Sequence, residues 1–144
     1  MYFFYLKARG ESMTEIKKDF IVCGGGYSGI CAAIAAARNG VKVALINDRS
    51  VLGGNGSSEI GVRAGGAAFD GRNTSVYASE GGIIDEIKLE FAQSDDELHV
   101  ATDTILFDMI YKEENIELFL NTLITDVSVN CNKIESVYCR GREP

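Results

Sequence analysis

The chain has 144 residues and a formal net charge of -7, with 46% hydrophobic and 24% charged residues. That is the composition and size of one soluble globular domain. The acidic balance argues against a nucleic-acid partner, because phosphate contacts need a basic surface, and no apolar run approaches the ~20 residues of a membrane-spanning helix.

The chain opens with MYFFYLKARGES. Its apolar cluster is short, and its charges follow the cluster, the reverse of a secretory signal. Residues 1–18 are therefore expected to be a disordered leader, with residues 19–144 forming the domain. Met13 is a sensible alternative start.

The densest signal follows: DFIVCGGGYSGICAAIAAARNGVKVALINDRSVLGG. Phe20 to Cys23 read as a short buried strand stopped by glycine. Residues 27–39 read as a helix, because Ile30, Ala33, Ile34 and Ala37 recur on one face. Gly40 is placed to end it. Residues 41–46 are nearly all apolar, as in a strand buried on both faces of a parallel sheet. Strand, G-x-G-x-x-G (Gly24, Gly26, Gly29), helix and strand form the βαβ order of a dinucleotide-binding unit. Gly24 allows the tight turn, Gly26 lets backbone approach a pyrophosphate, and Gly29 lets helix pack on sheet. The helix N-terminus points free N–H groups at the phosphates. An acid for the ribose is expected about 20 residues on. Asn47 stands there, with Asp48 and Arg49 beside it. Asn47 can accept from a hydroxyl without charge, Asp48 can reach by a small turn of backbone, and a plain strand-ending turn is the structural alternative.

From Gly53 to Gly82 the chain is rich in Gly, Ser and Asn and has no steady period, the mark of a functional or disordered loop. Helical signals resume near Glu80, with Ile84, Ile87 and Phe91 on one face. After a polar SDDE stretch, Thr102 is expected to cap a helix over residues 103–114, with Leu106, Met109 and Ile110 inward. Residues 116–120 read as a third buried strand. Leu123, Thr125, Val127 and Val129 alternate with polar residues, and residues 130–133 suit a hairpin turn before a last strand.

The residues leave NAD(P) and FAD open. The LGGNGSSEIG loop favours FAD, since it brings several backbone N–H groups near a long diphosphate-ribityl ligand. The runs VALINDRSVLGGNGSSEIGVRAGGA, SEGGIIDEIKLE and NIELFLNTLITDVSVNCNKIESV resemble the FAD-dependent oxidoreductases of the glutathione-reductase-like superfamily. More narrowly, they resemble the bacterial group related to the A-type subunit of heterodisulfide reductase. The resemblance implies an α/β fold: a Rossmann-like FAD-binding βαβ unit with a parallel sheet, plus an antiparallel β-meander hairpin. It implies FAD as cofactor, with Gly24, Gly26, Tyr27, Ser28 and Gly29 around the pyrophosphate. Asn47, Asp48 and Arg49 would lie near the adenosine ribose, although Asn47 replaces the commoner Glu. Gly53, Gly54 and Asn55 would approach the ribityl-pyrophosphate side, and the backbone of Ile124 would meet adenine. It also implies that the fold is incomplete. A further strand beside the first one and an A-T-G-type loop are expected, so a second chain carrying the missing part is a candidate partner.

No catalytic residue is assigned. His99 reads as a surface residue. Glu59 and Arg63 could face the flavin or its substrate, or form a loop salt bridge. Cys23, Cys31, Cys131 and Cys139 have neither metal-site nor iron–sulfur spacing and read as buried small hydrophobes in a reducing compartment, the cytoplasm. The leading expectation is the N-terminal FAD-binding portion of an oxidoreductase passing hydride from an unknown organic substrate to flavin. The alternatives are a nucleotide-binding remnant without catalysis, and an NAD(P)-binding module.

Overall fold

The computed structural model describes residues 2–7, 13–62, 64–65, 79–94 and 98–141. Arg63, most of the glycine-rich loop and the tail after Gly141 lie outside the described residues, as does the His99 side chain. The elements run β1 (Tyr2–Lys7), β2 (Thr14–Lys18), β3 (Phe20–Cys23), α1 (Tyr27–Arg38), β4 (Val43–Ile46), a 3-10 turn (Gly54–Gly56), α2 (Ile83–Gln93), α3 (Leu98–Tyr111), β5 (Ile116–Phe119), β6 (Thr122–Asn130) and β7 (Lys133–Gly141).

Three strands form a parallel sheet in the order β3-β4-β5. All four residues of β4 are buried, as its unbroken apolar run requires. Side chains alternate across a strand, so Val43 and Leu45 enter one core and Ile46 another. The first core packs Ile30, Ile34 and Ala37 of α1 with Ile87 of α2 and with Leu106 and Ile110 of α3. The second joins Ile46 to Val137 and Cys139 of β7. The parallel sheet is therefore a middle layer, with helices on one face and a second sheet on the other. That second sheet has the order β2-β1-β7-β6.

The structure departs from the sequence pattern at several points. Residues 1–18 contribute two strands in place of a disordered leader. β1 pairs antiparallel with β2 and parallel with β7, and Tyr5 stacks on Tyr138 with ring centroids 5.2 Å apart. Aromatic residues favour strands and gain from cross-strand partners. The β7 partners lie more than a hundred residues away, beyond the reach of local pattern. The apolar run of β3 predicts a buried strand, yet only Val22 of its four residues is buried. β3 is the edge of its sheet, which leaves Phe20 40% exposed.

α3 begins at Leu98, so Thr102 is a buried residue inside the helix and not its cap. The alternation over β6 is broken by a register shift between Ile124 and Asp126. Val127 then pairs with buried Val137, and a second register shift falls between Ser128 and Val129; Val127 and Val129 are both exposed. The hairpin turn is as expected: Cys131 and Asn132 have φ of 49° and 61°, the two left-handed residues of a tight two-residue loop. Of the cysteines, only Cys139 is buried. Cys23 and Cys131 are exposed, and Cys31 is partly so. Among the described residues no helix is long and apolar enough to cross a membrane.

Candidate cofactor-binding site

The sheet delivers β3 directly into the first glycine turn. The Gly24 N–H still donates to the Ile46 carbonyl at 2.8 Å, so the ladder holds until the chain must leave it. Gly24 then takes φ of 116°, a conformation open to glycine and strained for other residues. Gly26 caps α1 without side-chain help, and its carbonyl accepts from Ile30 N–H at 2.9 Å. The first N–H groups of α1 thus stay available to an anion. At Gly29 an added Cβ would collide with the Gly24 carbonyl oxygen, so the helix can start this close to the strand only with glycine there.

A second glycine turn, Gly53–Gly56, faces the first. Gly26 and Gly53 form an isolated parallel bridge, and Gly53 N–H donates to the Gly25 carbonyl at 2.8 Å. Between the two turns lies an open cleft of about 470 Å³. It is lined by Gly24, Gly26, Tyr27, Ser28, Gly29, Gly53, Gly54 and Asn55, with Cys23, Gly56, Val62 and Ala64. At Gly24 and Gly26 an added Cβ would meet nothing within 4 Å. These positions therefore border the cleft, and their glycines leave it backbone-walled.

The geometry fits a diphosphate. Backbone and a helix N-terminus face the space, and among the described residues no carboxylate side chain lines it. Tyr27 sits against Gly56, where an added Cβ would strike its ring. Burial, and then the charge of Asp103, push the Tyr27 phenol above its ordinary value, so it is a neutral hydroxyl beside the cleft.

The four remaining expected residues do not line the cleft. Asn47 is 7% exposed. Its Oδ1 accepts from Gly25 N–H at 3.1 Å, and its Nδ2 donates to the Val51 and Arg49 carbonyls at 2.8 and 3.3 Å. Asp48 is exposed on the turn that follows. Arg49 is held by Glu59, Nη1 to Oε2 at 2.6 Å, so Glu59 pairs with Arg49. Ile124 lies in β6 opposite Cys139 and packs against the second core.

Asp103 of α3 is a residue that sequence reasoning missed. Its carboxylate accepts from Ser58 N–H at 3.0 Å and from the Ser58 hydroxyl. Leu106, one turn on, packs against Gly53. α3 therefore holds the second glycine turn in place. Nothing near Asp103 in the chain signals this, because its partner is 45 residues away.

A parallel sheet feeding a glycine turn and a helix N-terminus, with a second glycine turn opposite, defines a Rossmann-like dinucleotide-binding protein. Residues 19–143 match the model of the FAD dependent oxidoreductase family. The chain belongs to that family, whose cofactor is FAD. It is 27% identical over 126 residues to a thiamine thiazole synthase from Thermotoga maritima, covering 84% of this chain and 46% of that protein. It is 46% identical over 41 residues to a dihydrolipoamide dehydrogenase from Chaetomium thermophilum, covering 28% of this chain and 8% of that protein. The crystal structure of THI4 from Thermovibrio ammonificans shares the fold, with a TM-score of 0.52 at 20% identity, over 82% of this chain and 44% of that one. The chain spans under half the length of the relatives that it matches broadly.

Proposed function

We propose that this chain holds the diphosphate and adenosine half of FAD for an oxidoreductase that takes hydride from an organic substrate. The observation that carries the proposal is the pair of glycine turns facing each other across the N-terminus of α1. Gly24, Gly26, Tyr27, Ser28 and Gly29 would take the pyrophosphate, and Gly53, Gly54 and Asn55 its ribityl side. Asp48, exposed on the turn after β4, would be the carboxylate to reach the ribose, because the Asn47 amide is spent on backbone. Bound flavin would supply the hydride-accepting chemistry, and the protein orients it. The acidic balance supports a small organic substrate over nucleic acid, and the free cysteines support a cytoplasmic setting.

The second reading is nucleotide binding without catalysis until another chain completes the fold. The outer edge of β3 favours it. Phe20 and Gly24 direct their N–H groups toward β4. Parallel pairing alternates, so Ile21 and Cys23 direct theirs outward, where no described strand pairs. A groove of about 1310 Å³ is lined by Phe20, Ile21 and Cys23 of β3 together with residues of β1, β6 and β7. An extended segment from a second polypeptide would satisfy these groups.

Anaerobic incubation of the flavin-loaded chain with a panel of reduced organic substrates separates the two readings. Bleaching of the visible flavin band supports the oxidoreductase. Retained flavin that no substrate bleaches supports the second reading.

A further inference from the structure

Asn47 stands where a ribose-binding acid is expected, and its side chain faces away from the cleft. Three backbone segments meet on its amide: the first glycine turn at Gly25, the turn at Arg49, and the descent to the second glycine turn at Val51. The packing is close on the same side. A methyl group on Gly25 would lie 2.9 Å from Asn47 Cγ and 2.6 Å from Leu52 Cδ2. The Asn47 backbone is also fixed, its N–H donating to Phe119 and its carbonyl accepting from Thr122, each at 2.9 Å. The site therefore asks for one acceptor and two donors on a short, neutral side chain, and an amide offers both. A carboxylate could accept from Gly25 but would set negative charge against two carbonyl oxygens.

We propose that Asn47 is a positioning residue. It locks the Gly24–Gly26 turn to the Val51–Gly53 segment before the cofactor arrives, and it acts on FAD through those turns. The inference rests on the FAD-binding reading for its ligand, but not for its geometry.

The test is Asn47→Asp, followed across pH. Protonated aspartic acid can accept from Gly25 and donate to Val51. The ionised form can make only the first bond. Burial against carbonyl oxygens favours the neutral acid and raises its pKa. A raised folded-state pKa gives stability that is present at low pH and lost as pH rises through it. FAD affinity of Asn47→Asp, read by flavin fluorescence titration, should approach that of the unsubstituted protein near pH 5. Near pH 8 it should be about tenfold weaker, the effect of roughly one lost hydrogen bond to a buried group. The melting midpoint of the flavin-free variant should fall over the same range, relative to the unsubstituted protein. Asn47→Leu should weaken binding at both pH values alike.

The neighbouring titratable groups are Asp48 and Arg49 on the same turn, Glu59 on Arg49, and Cys23 and Tyr27 beside the first turn. All are common to both proteins, so the comparison isolates position 47. If the unsubstituted protein takes up no FAD, the cofactor reading fails, and the melting profile still decides the brace. If affinity falls equally at both pH values with an unchanged melting profile, Asn47 touches the cofactor and the positioning role is overturned. The role is equally overturned if neither affinity nor melting changes.

Discussion

Ser58 gives both its backbone N–H and its hydroxyl to the carboxylate of Asp103. This two-point clamp joins α3 to Ser58, two residues past the second glycine turn. Hydrogen bonds to a charged group are stronger than neutral ones, but this pair is solvent-exposed. Loss of about 1 kcal/mol is expected for Asp103→Ala or Ser58→Ala. The double variant should lose no more than Asp103→Ala alone, because that change already removes both bonds, whereas Ser58→Ala leaves the backbone N–H bond in place. Urea unfolding of the three variants checks this. Strictly additive losses would show that the clamp is not shared.

The contact between Gly29 and Gly24 leaves no room for a methyl group. Gly29→Ala would force a Cβ against the Gly24 carbonyl oxygen and within 3.3 Å of Val22 Cγ1. Overpacking of this kind costs about 1–3 kcal/mol. The strain falls on the turn that would hold the pyrophosphate, so FAD affinity should drop by at least about tenfold, equivalent to roughly 1.4 kcal/mol. Fluorescence titration alongside denaturant melts measures both quantities.

The central unit is legible in the sequence because its signals are local. Glycine spacing, an alanine-rich helical face and an unbroken apolar strand each act within a few residues. The same locality hides the rest. β1 exists because Tyr5 meets Tyr138 and its backbone pairs with β7. α3 enters the site because Asp103 meets Ser58. Asn47 is recognisable as the residue at the strand end, but the direction of its side chain depends on Gly25 and Val51. Two register shifts interrupt the alternation of β6, and Val127 and Val129 are exposed.

Cys139 provides a pH prediction. Burial, and then the charge of nearby Cys23, push its thiol from 9.0 up to about 12. The native state keeps a proton that the unfolded chain releases near 9.0. The stabilisation is therefore complete below that pH and is lost as pH rises from there through about 12. Thermal melts from neutral to strongly alkaline pH should show a shallower alkaline decline for Cys139→Ala than for the unsubstituted protein. Parallel slopes would contradict the shift.

Arg38 joins α1 to two acidic partners, Glu113 at 2.7 Å and Glu86 at 2.8 Å. The arrangement suggests an anchor, but Arg38 is 42% exposed, and exposed pairs contribute about 0.2–1 kcal/mol. Arg38→Ala should lower stability by no more than about 1 kcal/mol, and added salt should shrink the difference. A larger, salt-independent loss would mean that the aliphatic stem carries the contact.

The claim on which the account depends is that the two glycine turns hold FAD. The direct measurement is retention of cofactor by the purified chain, incubated separately with FAD and with NAD(H), through a desalting column. The account predicts a retained flavin absorbance with FAD and no retained NAD(H). Retention of NAD(H) with loss of all flavin would contradict it.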